Sequence, residues 1–161
     1  MEKEIVSNTS SLIFLAKLNI FGLARNMFSC IIISEEVLDE ILEKDKVENY
    51  LIQKEIGEFI IVSEVKNVKD IPVDNGEKEA ISLCLEKNIK KFLSDDKKAR
   101  RYATNLDIEV MGVLGILLWN LQNTKINKKE CLNLVNKLIE KGYFMSSELY
   151  SEVLTLINSE N

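Results

Sequence analysis

Short β-branched runs alternate along this chain with segments of helical periodicity, and that alternation constrains its fold more than any other feature. Ile5-Val6-Ser7, Ile31-Ile32-Ile33, Phe59-Ile60-Ile61-Val62, Phe92-Leu93 and Val110-Met111 read as strands, and the isoleucine run is of the kind buried on both faces. Between them, Ser11 to Leu18 places Leu12, Leu15, Ala16 and Leu18 at helical spacing, and Phe21 to Met27 forms a second short helix. Ser34 caps the next helix, with Glu35 and Glu36 in its first turn and Val37, Leu38, Ile41 and Leu42 as its buried stripe. Asp74-Asn75-Gly76 opens a helix whose apolar face is Ala80, Ile81, Cys84 and Leu85, and Asp95-Asp96 opens another that runs to about Leu106. Further helices start at Val113, Asn127 and Ser146, and Asn127 with Glu130 has the capping-box pattern. Strand and helix in alternation predict an α/β fold with a central, mainly parallel sheet flanked by helices and a helical C-terminal part.

The 161 residues suit a single domain, 1–161, with residues 127–161 packing on the rest as C-terminal helices. Pro72 is the only proline, and no Gly/Ser-rich linker, repeat or low-complexity tract divides the chain. The longest apolar stretch, Val110 to Trp119, is well short of the ~20 residues that cross a bilayer, so no membrane span is expected. Met1-Glu2-Lys3-Glu4 leads directly into a strand-like run without the basic and apolar regions of a secretory signal, which predicts a cytoplasmic protein. Cys30, Cys84 and Cys131 are odd in number and far apart, which suits neither a disulfide framework nor a zinc site.

The chain has no histidine, which removes His-based triads, bases and metal ligands together. Its net charge of −5 excludes a protein that holds long nucleic acid by diffuse positive charge. In a parallel sheet, ligands bind beyond the carboxyl ends of the strands. Asn8 follows the first strand there, Asp95 and Asp96 follow the fourth, Glu77 and Glu79 lie in the first turn of the helix between, and Glu40 can reach the same edge from its helix. Carboxylates gathered in this way stay ionised together most readily around a hard cation, and oxygen donors select Mg2+ or Mn2+. Such an ion activates water and offsets charge on a phosphate oxygen without any histidine. With 26 Asp and Glu in the chain, each acid alone is better accounted for by solvation or capping: Asp95 fits a helix cap as well as a ligand, and Glu77 fits the complement of a cap at Asp74.

Four strings in order narrow these alternatives: Val6-Ser7-Asn8-Thr9-Ser10-Ser11-Leu12-Ile13, Val37-Leu38-Asp39-Glu40, Gly76-Glu77-Lys78-Glu79-Ala80-Ile81, and Leu93-Ser94-Asp95-Asp96-Lys97-Lys98-Ala99-Arg100-Arg101. Together they resemble the PIN-domain superfamily, and most closely a prokaryotic subgroup of small toxin-like PIN proteins related to the VapC-type ribonucleases. The resemblance implies a Rossmann-like, three-layer fold, a Mg2+ or Mn2+ site of three or four acids, and cleavage of RNA. Carried over by position, Asn8 stands for the first acid, Glu40 for the second, Glu79 for the third and Asp96 for the fourth, with Asp95 as the alternative for the last. Ser10 would support the first loop, and Ser94 is the hydroxyl before the final acid. Asn8 departs from the common aspartate: its carbonyl oxygen can still face a metal, but it brings no charge.

A basic run around the fourth string, with Lys97, Lys98, Arg100 and Arg101 after Lys87, Lys90 and Lys91, reads either as an RNA-backbone strip or as a solvated helix face. The expected activity is a divalent-metal-dependent endoribonuclease, the toxin of a toxin–antitoxin pair whose antitoxin covers the acidic mouth. The alternative is a PIN-like module that binds RNA or protein with weakened catalysis. The apolar stripe Leu134, Val135, Leu138 and Ile139 fits either core packing or a homodimer face.

Overall fold

The computed structural model describes residues 2–160. Its sheet has the strand order β3-β2-β1-β4-β5, built from β1 (Glu2–Ser7), β2 (Phe28–Ser34), β3 (Ile60–Ser63), β4 (Lys91–Leu93) and β5 (Glu109–Met111). Every neighbouring pair is parallel. β1 is the central strand, and Ile5 and Val6 are both fully buried because each faces a different layer. The same alternation runs through β2, where Ile31 and Ile33 belong to one core and Ile32 to the other. This is the condition for which a continuous β-branched run is suited.

One face of the sheet carries α1 (Thr9–Leu18), α2 (Phe21–Arg25), α3 (Glu35–Glu43), α4 (Val47–Glu55), α7 (Val113–Gln122), α8 (Lys128–Glu140) and α9 (Ser147–Ser159). The other carries α5 (Asn75–Lys87) and α6 (Lys97–Asn105), which bury Ala80, Ile81, Cys84, Ala99 and Ala103 against Val6, Ile32 and Phe92. Val135 and Leu138 of α8 and Val153 and Ile157 of α9 join the same core as Ile5, while Ile139 stays partly exposed. Asn127 and Glu130 form the capping box that the sequence predicts. Among the described residues, no helix is long and apolar enough to cross a membrane.

Two local expectations are corrected. Leu42 is 53% exposed, so the buried stripe of α3 is the narrower pair Val37 and Ile41, with Leu38 half-buried. The helix α4 has no counterpart in the apolar pattern, because its buried residues are Asn49 and Ile52 while Val47 and Tyr50 face solvent. Asn49 is accommodated by donating its Nδ2 to the carbonyl of Ile41, 2.8 Å away. All three cysteines are free thiols, and burial pushes Cys84 up to about 12 and Cys131 up to about 11. Raised thiols are poor nucleophiles at neutral pH, consistent with packing roles.

The strand order positions the site. The chain leaves β1 toward β2 and β3, then returns to place β4 on the opposite side of β1. The reversal opens a crevice outside the carboxyl ends of β1 and β4, where ligands of open parallel sheets bind.

Candidate active site

Asn8 follows β1 at this crevice and is 1% exposed. Its Oδ1 accepts from the backbone N–H of Ser11 at 3.0 Å, the arrangement that makes asparagine a strong helix cap, here for α1. Its Nδ2 donates to Glu77 Oε1 at 2.8 Å and to Ser94 Oγ at 3.0 Å. Only an amide oxygen can accept the first bond and only an amide N–H can donate the others, so the network fixes the side chain's orientation. Ser94 is fully buried after β4, and its hydroxyl also accepts from the backbone N–H of Asp96 at 3.2 Å. One amide and one hydroxyl thus join the ends of β1 and β4 to the starts of α5 and α6.

Four acids, Glu40, Asp74, Glu77 and Asp96, line a cavity beside this joint. Glu77, in the first turn of α5, has Oε1 on Asn8 while its buried Oε2 has no hydrogen-bond partner. Burial raises the Glu77 carboxyl to about 7; the Asn8 bond opposes that rise, and Asp96, Glu40 and Asp74 add to it by repulsion. Glu40 reaches in from α3 and accepts from the Thr9 hydroxyl. Asp96 caps α6 by accepting from Ala99 N at 2.7 Å. These acids, with Thr9, Ser10 and Phe14, line a cavity of about 450 Å³, and Lys44 also contributes to its lining.

Gly76 lets Glu40 come this close, since a Cβ at that position would stand 2.5 Å from Glu40 Oε1. Gly76→Ala is therefore expected to displace the Glu40 carboxylate. Alanine is also the better helix former by about 1 kcal/mol, so the variant should unfold at no lower temperature than the parent. Any metal affinity or catalysis that depends on Glu40 should fall by about tenfold or more, the scale on which misplaced metal-site groups act. A thermal melt beside a Mn2+ titration checks both halves.

Of the remaining sequence candidates, only Ser10 also lines this cavity. Glu79 is two residues further along α5, about 200° round the helix from Glu77 at ~3.6 residues per turn. Its carboxyl is raised by burial and by Glu36, Glu35 and Asp39 of α3, and it does not line the cavity with Glu40 and Asp96. Of the two α5 carboxylates, Glu77 is the one that lines this cavity. Asp95 faces away from Asn8: its oxygens accept from the Ser11 hydroxyl at 2.9 Å, from Val113 N at 3.3 Å and from the Tyr143 hydroxyl at 2.9 Å. Gly112 leaves room for that carboxylate, so Asp95 joins α1, α7 and the turn after α8.

Ser10 is exposed and lines both this cavity and a neighbouring one. Lys97, Lys98 and Arg101 are exposed, whereas Arg100 turns inward and donates to the carbonyl of Ser94 at 3.3 Å. Only Lys97 and Arg100 of this group line the neighbouring cavity. Lys87 ends α5, about 15 Å along the axis from Glu77 at ~1.5 Å per residue, and Lys91 pairs with Glu109 at 3.0 Å. The basic run is thus divided between the two ends of the sheet. Helical phase is the signal that singles out Glu77, because it lies three, four and seven residues before Ala80, Ile81 and Cys84 on the buried face.

A family model described as PIN domain matches residues 4–159. The chain belongs to the PIN-domain family. No curated protein matches it. PIN domains are generally nucleases, and the family generally uses divalent metals. The residues of this PIN domain fit such an ion in three respects. The donors are hard carboxylate oxygens, one buried oxygen of Glu77 lacks a partner, and the repulsion from Asp96, Glu40 and Asp74 that adds to the effect of burial on Glu77 is what a divalent cation relieves. Among the described residues, no three acids stand close enough together to hold a metal ion as their side chains are placed. Glu40, Glu77 and Asp96, with Asp74, line one open mouth.

Proposed function

We propose that this PIN domain is a Mg2+- or Mn2+-dependent endoribonuclease of the toxin-like, VapC-related kind. The observation that carries the proposal is the unpartnered Oε2 of Glu77, buried in a cavity it shares with Glu40 and Asp96 at the switch point of the sheet. In this reading Glu40, Glu77 and Asp96 hold the ion, and Asn8 aims Glu77 through its N–H. Thr9 orients Glu40, while Ser94 ties Asn8 to the start of α6. Bound there, a divalent cation supplies an acidified water and offsets charge on the phosphate oxygen. A proteinaceous antitoxin that covers the mouth is the natural partner of such an activity, which would operate in the cytoplasm.

Incubation with mixed RNAs and Mn2+ tests the reaction. The parent protein should cleave, and Asp96→Asn should lose about 100-fold or more, the scale of removing one charge-stabilising group. Equal cleavage by both would exclude the acid site as its source. A second reading, a PIN fold that binds RNA without cutting it, is favoured by Asn8, whose oxygen is engaged as a helix cap rather than turned toward the acids. That reading predicts RNA binding without Mn2+-dependent turnover in the same assay.

A further inference from the structure

We propose that single-stranded RNA reaches the acid mouth along the groove between α6 and the turn joining α8 to α9, with one base stacked on Phe144. This path rests on the nuclease reading and adds to it the direction from which substrate arrives. The groove has a volume of about 650 Å³ and shares Ser10, Phe14 and Asp96 with the acid cavity, so the two adjoin. Lys97 and Arg100 of α6, Tyr143 and Phe144 after α8, and the carboxylates of Asp95 and Asp96 line it.

Phe144 is 79% exposed, the most exposed of the large apolar side chains that face solvent among the described residues. Its position is held by its neighbours. Gly142 takes a positive φ of 101°, Tyr143 N donates to Leu138 O at 3.2 Å, the Tyr143 hydroxyl donates to Asp95 at 2.9 Å, and its ring meets Phe14 edge to face at 5.4 Å. An exposed ring in a groove that also holds two cations, Lys97 and Arg100, matches the way proteins grip unpaired strands, and the groove's carboxylates, Asp95 and Asp96, lie toward the acid mouth or are hydrogen-bonded by Tyr143. Bases stack on the ring and phosphates follow the cations, with no need to read sequence. Arg100 engages one Nη1 with Ser94 O, and a guanidinium has five N–H donors, so it can face a phosphate as well. Lys98 and Arg101 do not line the groove and serve as controls.

The test uses the full chain in EDTA, where no turnover occurs, with a short fluorescein-labelled oligoribonucleotide lacking self-complementarity, read by anisotropy. Phe144→Ala should weaken binding about tenfold. Lys97→Glu should weaken it and reduce the salt slope by about 0.7, the share of one single-strand phosphate contact. Lys98→Glu and Arg101→Glu should remain close to the parent. Phe144 is solvent-exposed, so its truncation leaves the core intact, which an unchanged melting temperature verifies.

A parent protein that cleaves RNA with the same KM as Phe144→Ala would overturn the path and leave the nuclease reading standing. Phe144-dependent binding without any cleavage would support the path and overturn the nuclease reading. Absence of oligoribonucleotide binding by the parent would overturn the path. So would a change from dimer to monomer in Phe144→Ala with RNA affinity unaltered, which would make this surface a protein interface.

Discussion

Replacing Glu77 by glutamine should stabilise the metal-free protein at pH 8 while removing Mn2+-dependent cleavage. The Glu77 carboxyl is raised from 4.5 to about 7, mainly by burial and then by Asp96, Glu40 and Asp74. Between those values the folded chain holds a proton that the unfolded chain releases. The stability contributed by the protonated group is therefore complete below about pH 4.5 and is lost as pH rises toward 7. Above that range the native state carries a buried, unpartnered carboxylate oxygen among like charges. Glutamine retains an oxygen for the Asn8 N–H and turns an amide N–H toward Glu40 and Asp96 where Oε2 stood. The gain should be about 1–3 kcal/mol at pH 8, seen as roughly 3–10 °C in melting temperature, and should vanish near pH 4. A glutamine variant that melts below the parent at pH 8 in EDTA would contradict this description of the site.

Asn8→Asp should act in the opposite sense. Aspartate caps α1 as well as asparagine does, so the bond from Ser11 N survives. The two N–H donations, to Glu77 at 2.8 Å and to Ser94 at 3.0 Å, do not. In their place a second carboxylate meets Glu77 in a buried setting, at a cost of about 2–4 kcal/mol in the metal-free protein at pH 8. Both carboxyls would then have raised values, so stability should recover as the pH falls and protons return. It should also recover when Mn2+ is added, because the variant supplies another anionic oxygen to a divalent ion. Melting temperatures at pH 8 with and without Mn2+ should show a larger Mn2+ shift for Asn8→Asp than for the parent. An equal or smaller shift would mean that Asn8 does not adjoin a cation site.

The layers of the fold were legible because the inner strands β1 and β2 are buried on both faces toward their carboxyl ends. Ile31, Ile32 and Ile33 leave no polar alternative to a central parallel strand, and their partners fall on alternating sides. The helix α4 was not legible, since its packing depends on Ile52 and on an asparagine whose amide finds the Ile41 carbonyl only in three dimensions. At the site, the strings around Glu40 and Asp96 lead to residues that do line one cavity. The choice between Glu77 and Glu79 depends on helix phase, and a positional resemblance does not measure it. The direction of the Asn8 amide was also out of reach, because Ser11 N and Ser94 Oγ decide which end faces the acids, and Ser94 follows another strand. Asp95 and Asp96 are adjacent in sequence, yet one completes a buried joint with Tyr143 and the other caps α6 at the mouth.

The central claim is that Glu40, Glu77 and Asp96 form one divalent-cation site, with Glu77 rather than Glu79 as its member from α5. Calorimetric titration of Mn2+ into the parent, Glu77→Gln and Glu79→Gln proteins at pH 8 tests it most directly. Saturable binding by the parent, retained within about threefold in Glu79→Gln and lost by 10–100-fold or more in Glu77→Gln, is the predicted result. Binding that survives Glu77→Gln and disappears in Glu79→Gln, or that is absent from the parent, would contradict it.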